Sequence, residues 1–103
     1  MARYMVLWKA NASTWPTDPK GLLGMWEAAT GGGDHLLNAG ALKDLGWFSA
    51  EEGYGIFEAE SKADVLGMVQ PFFPFFSQDV REMVPWESGK QAILGSARQA
   101  ASR

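Results

Sequence analysis

Short apolar runs alternate along this chain with breaks rich in Pro, Gly, Asn, Asp and Ser. Tyr4 to Ala10 carries Val, Leu, Trp and Tyr over strand length, which predicts a first β-strand. Apolar residues fall on both of its sides, so a central strand covered on both faces is expected. Asn11 to Thr17 reads as a polar loop around Trp15-Pro16. Asp18 then caps a helix that has Pro19 at its first position, where a missing N–H costs nothing. Leu22, Trp26 and Ala29 recur at helical spacing and form its buried stripe.

Gly31-Gly32-Gly33 follows inside that pattern. Three glycines in a helix interior cost roughly 3 kcal/mol relative to alanine, so a kink or break is expected there. Asp34 then caps a short second piece from His35 to Asn38, ended by Gly40. Ala41 to Phe48 reads as a second strand, made irregular by Gly46, and Ser49 to Gly53 as an acidic turn. Tyr54 to Glu60 is the third strand. Its Tyr54, Ile56 and Glu58 point one way, and Gly55, Phe57 and Ala59 the other. Ser61, with Asp64 three residues on, opens a helix whose Val65, Leu66, Met68 and Val69 form the buried face, stopped by Pro71 and Pro74. Ser77 to Trp86 is the fourth strand, with Val80, Glu82, Val84 and Trp86 on one face and Pro85 at an edge or bulge. Glu87 to Arg103 is an alanine-rich helical tail with a small apolar face at Ile93, Leu94 and Ala97.

The order β-α-β-β-α-β defines an α+β chain of ferredoxin-like type: a four-stranded antiparallel sheet, both helices on one face, and a C-terminal helix. Residues 1–86 form the domain and 87–103 the tail. The uncovered sheet face is expected to be apolar and aromatic. A second copy of the sheet is the simplest cover for it, giving a homodimer or a higher homo-oligomer.

The chain has 103 residues, so one domain is expected. Five Trp, six Phe and two Tyr are a heavy aromatic load for that length and point to an interface or a pocket as well as a core. The formal charge is −3 and the cations are scattered, which argues against nucleic acid as a partner. The chain lacks cysteine, which removes disulfides, zinc-thiolate sites and a Cys nucleophile. One His and no Cys give no metal constellation. No apolar run reaches spanning length, and Lys9 and Asn11 interrupt any leader-like run, so a cytoplasmic protein without membrane contact is expected.

Gly40-Ala41-Leu42-Lys43, Gly53 to Ala59 and Phe72-Phe73-Pro74-Phe75 resemble small bacterial domains of the dimeric α/β-barrel superfamily, with the layout of its muconolactone isomerase and antibiotic-biosynthesis monooxygenase branches. The resemblance spans roughly residues 3 to 86 and is one of pattern, not of a catalytic signature. It implies a dimer whose two sheets close a barrel and, in many members, a small-molecule cavity between sheet and helices. Reactions in the superfamily range over isomerisation, cofactor-free oxygenation, cyclisation and haem chemistry, so the layout fixes none of them. The glycine run and the tail depart from the compact family pattern.

Candidate chemistry is sparse. His35, the only histidine, suits general acid–base work near neutral pH, or is a surface residue beside Asp34. Glu58 is a proton shuttle if its strand face is covered, or else pairs with Arg3 or Arg81. Trp8, Trp26, Trp47 and Tyr54 either line a flat pocket for an aromatic ligand or are plain core. The Phe72 to Phe76 cluster around Pro74 reads as core or dimer contact, with a pocket lid as the alternative. The glycine run lacks the Lys-Ser/Thr ending of a phosphate loop, and reads as a flexible gate or a weak anion cradle. The function expected is binding of a hydrophobic or aromatic metabolite. Isomerase, cyclase or monooxygenase chemistry by proton transfer without a bound cofactor is one form of it, and non-catalytic binding or an assembly role is the alternative.

Overall fold

The computed structural model describes all residues, Met1–Arg103. Four strands, β1 (Ala2–Ala10), β2 (Leu42–Trp47), β3 (Glu52–Ala59) and β4 (Phe76–Met83), form one antiparallel sheet in the order β2-β3-β1-β4. Two helices, α1 (Pro19–Ala39) and α2 (Lys62–Val69), cover one face, and α3 (Trp86–Ala101) follows β4. The chain is thus α+β with an open four-stranded sheet and three helices, compatible with a ferredoxin-like layout.

Register decides which side chains meet. Tyr4, Val6 and Trp8 of β1 stand opposite Phe57, Gly55 and Gly53 of β3, and opposite Glu82, Val80 and Gln78 of β4. Because side chains alternate along a strand, these residues share the helix-facing side. Their core joins Tyr4, Val6, Leu42, Phe57, Ala59 and Val80 to Val65 and Val69 of α2. Val65 is fully buried, and Ser61 caps α2 by accepting the Asp64 N–H at 3.2 Å. Of the expected α2 face, Leu66 is instead half exposed.

The expected break at Gly31-Gly32-Gly33 is absent: α1 is one helix of 21 residues. Packing explains why it persists. Gly33 is buried, and a Cβ there would meet Cδ2 of Leu45 at 2.8 Å; one on Gly32 would meet the Phe72 ring at 3.1 Å. Glycine lets the helix approach β2 and Phe72 closely, and that burial offsets the cost in propensity. Asp34 therefore caps nothing, and the run is neither gate nor anion cradle. The outer ends of α1 match expectation: Asp18 accepts the Gly21 N–H at 2.8 Å, and Gly40 closes the helix at φ 82°.

Two further expectations change. The fourth strand stops at Met83, because Pro85 cannot pair in a ladder. Val84 and Trp86 are then not strand residues: they are 68% and 81% exposed, and Trp86 begins α3. The outer sheet face is also less aromatic than expected. It carries Met5, Leu7 and Ile56 as a half-buried apolar strip, edged by Arg3, Lys9, Glu52, Glu58, Asp79 and Arg81. Tyr54 is its one aromatic residue on the paired strands. β1 is central in the sheet but has helices on one side only.

α3 stands apart. None of its residues is buried, and the molecule measures 66 × 28 × 21 Å. Its radius of gyration is 17.9 Å, whereas about 13 Å is typical of a compact chain of this size. No helix is long and apolar enough to cross a membrane.

Candidate functional site

Aromatic residues from three strands and α1 converge on the helix-facing side of the sheet. Trp8 meets Trp47 edge-on at 5.2 Å between ring centroids and Phe76 at 5.6 Å. Trp26 of α1 lies 5.7 Å from Trp47 and 5.6 Å from Phe76. These are favourable aromatic separations, and they weld α1 to the sheet at one end. Trp15 backs the cluster at 5.2 Å from Trp26. The loop after β1 holds it there: its indole N–H donates to the Phe75 carbonyl at 2.8 Å, and the Asn11 and Thr14 side chains donate to the Pro74 carbonyl.

Beside this cluster, between α1 and the sheet, lies a cavity of about 370 Å³. Val6, Trp8 and Gly55 form its floor, Leu42, Leu45 and Trp47 one wall, and Phe72 and Phe76 another. α1 roofs it with Trp26, Ala29, Thr30, Gly33, Asp34, Leu36 and Leu37. Gly55 lines it from the sheet and Ala29 and Gly33 from α1, with Gly33 packed closely on Leu45 and Gly55 on Leu42. Trp47, Leu45 and Leu37 are 57%, 38% and 37% exposed, so they sit at the rim.

Three of the four expected ligand residues, Trp8, Trp26 and Trp47, meet here. Tyr54 does not: it lies on the outer face, where its hydroxyl donates to Oδ2 of Asp44 at 2.9 Å and its ring stacks on Phe48. The Asp44 hydrogen bond, with burial and the carboxylate's charge, raises the Tyr54 pKa above its ordinary value.

Neither expected acid–base group reaches the cavity. His35 is exposed on α1 and does not line it. Glu58 is on the outer face, where Arg3 donates to Oε1 at 3.1 Å and Lys43 lies 3.8 Å from Oε2. The pairing with Arg3 is the structural alternative the sequence offered. Arg81 instead binds Asp79 at 2.8 Å and holds that carboxyl below its usual range.

Asp34, Gln78 and Leu36 line the cavity without having been expected from the sequence, and Phe72 and Phe76 of the phenylalanine cluster line it too. Asp34 was hidden by the expected helix break. A continuous α1 puts residues 26, 29, 30, 33, 34 and 37 on one face, and that spacing was the available signal. On the opposite corner of the core, burial and the nearby Glu82 and Asp64 carboxylates push the Tyr4 phenol up.

No protein-family model matches this chain, and no curated protein shows significant sequence similarity to it.

Proposed function

We propose that this domain binds a small apolar or aromatic molecule in the cavity between α1 and the sheet. The observation that carries this reading is a 370 Å³ apolar space walled by Trp8, Trp26 and Trp47. That volume falls within the range of small-ligand sites, which extends from about 300 to about 1,000 Å³.

Binding, rather than turnover, is what the geometry supports best. Isomerisation, cyclisation or oxygenation through proton transfer needs a base within reach of the ligand. His35 and Glu58 lie elsewhere, and Asp34 is the one carboxylate at the cavity. The domain is read as taking its ligand without a metal or organic cofactor.

The test is native mass spectrometry and indole fluorescence on freshly purified protein, beside the plugged variant Ala29→Phe. A retained small molecule, or saturable quenching by aromatic fragments in the wild type and its loss in the variant, supports the reading. Equal binding by both proteins, or none by either, sinks it.

A second reading concerns assembly and rests on α3. This helix presents Trp86, Ile93, Ala97 and Ala100 on one face, interrupted by Lys90, and none of them is buried. Residues 86–103 carry Glu87 against Lys90, Arg98 and Arg103, a formal +2, which leaves −5 on the rest of a chain whose total is −3. Opposite charge and a bare apolar strip at Met5, Leu7 and Ile56 make the body of a second copy the partner that fits. The dimeric α/β-barrel resemblance implies a different dimer, closed sheet against sheet, in which the same strip would be covered by the partner's sheet.

A further inference from the structure

We infer that the ligand of the α1–sheet cavity is an organic cation, a protonated amine on an apolar or aromatic body. The inference rests on the binding role proposed above and specifies its chemistry. Three features of the cavity agree on charge. First, Asp34 is the only ionisable side chain that lines it; no Lys, Arg or His does. Asp34 takes part in no ion pair within the chain, and Arg3 and Lys43 are held by Glu58 on the far side of the sheet. Second, the last turns of α1 roof the cavity through Leu36 and Leu37, and the last turn of that helix carries no basic residue. The partial negative charge of the helix C-terminus is therefore uncompensated by a cation there. Third, the walls are indole and phenyl rings, whose electron-rich faces attract cations.

A carboxylate-ended ligand meets the reverse. It would place an anion beside Asp34 and the helix terminus, with no donor of positive charge in the lining. The polar groups that remain are the Gln78 amide and the Thr30 hydroxyl, and the latter already donates to the Trp26 carbonyl at 2.7 Å. A ligand with its ring against Trp8 and Trp26 and its ammonium at the rim places its charge on the one carboxylate of the lining, Asp34.

The experiment is calorimetric titration of the whole chain with three compounds that share one ring: 2-phenylethylamine, 2-phenylethanol and 3-phenylpropionate. The amine is expected to bind about tenfold more tightly than the alcohol, the size of one cation–π contact with one rim ion pair. The acid is expected to bind most weakly. Asp34→Asn should remove the ion-pair share of the amine's preference and leave the alcohol unchanged, and added salt should weaken only the amine. Circular dichroism of the variant verifies its fold, and Asp34→Glu should restore the preference. Equal binding of all three compounds, or an acid preference, overturns the cation assignment while the cavity stands. An amine preference untouched by Asp34→Asn overturns it too. Binding of none overturns the cavity reading itself and the inference with it.

Discussion

Trp8 stands directly opposite Gly53 on the paired strand, and its six-membered ring occupies the place where a Gly53 side chain would be. A Cβ at Gly53 would also collide with the Gly46 carbonyl oxygen of β2. The sheet therefore closes around the indole only because position 53 has no side chain. Gly53→Ala must displace either the ring or the backbone of an adjoining strand. It should destabilise the domain by about 3 kcal/mol, the upper part of the ordinary range for overpacking. Urea unfolding measures this. The same variant should blunt the quenching or anisotropy signature of the Trp cluster, since Trp8 touches Trp47 and Phe76.

Gly31 is the opposite case within the glycine run. It is exposed on α1, and a Cβ there would have nothing within 4 Å. Gly31→Ala should therefore stabilise the protein by nearly the whole propensity difference, about 1 kcal/mol. Gly33→Ala gains the same propensity but pushes against Leu45 at 2.8 Å, so its net effect should be smaller or reversed. Thermal unfolding of the two variants checks the order. A destabilising Gly31→Ala would show that the helix does break there.

The layout was legible in the sequence because it rests on local signals. Asp18-Pro19, Gly40 and Ser61 mark helix ends through their own backbone preferences. The alternation Gly55, Phe57, Ala59 marks one strand face with no help from distant residues, although the strand begins two residues earlier than Tyr54, at Glu52. The glycine run was misread for the converse reason. Its local propensity argues for a break, while the contacts that keep it helical come from Leu45 and Phe72, remote in sequence. That one error hid Asp34 from the candidate site. The Trp cluster was legible as three residues but not as a cavity, because empty space depends on how closely α1 approaches the sheet. Tyr54 and Glu58 share a strand parity that could be read. The covered side of the sheet could not, until β1 and β3 were in register.

Tyr54 and Asp44 give the molecule a pH dependence of known sign. The phenol's folded pKa is raised, so the folded state favours the protonated, hydrogen-bonded form. The stabilisation is then fully present below the unfolded tyrosine value near pH ~10 and is lost as pH rises through the higher folded value. Tyr54→Phe should cost a small amount of stability at neutral pH, since it removes one partly exposed hydrogen bond. The gap to wild type should close in alkali. Asp44→Asn should lower the Tyr54 titration towards the ordinary value, as read from phenolate absorbance. A titration unmoved by Asp44→Asn would mean that the hydrogen bond does not persist in solution.

The isolation of α3 calls for a partner. A helix of 16 residues containing Gly89 and Gly95 is marginal in water without tertiary support. Its stripe is 81% exposed at Trp86 and 70% exposed at Ile93. At 1.5 Å per residue the helix is about 24 Å long, close to the length of the eight-residue strands β3 and β4. It can therefore span the outer strip of a second copy from end to end. Light scattering should give the mass of a dimer or larger for the wild type. Ile93→Glu should raise the dissociation constant at least about tenfold by placing a carboxylate in the apolar seam. Removal of residues 88 to 103 should lower the mass further and leave the far-ultraviolet signal of the sheet intact. A monomeric wild type, or an assembly indifferent to both changes, would remove α3 from the interface.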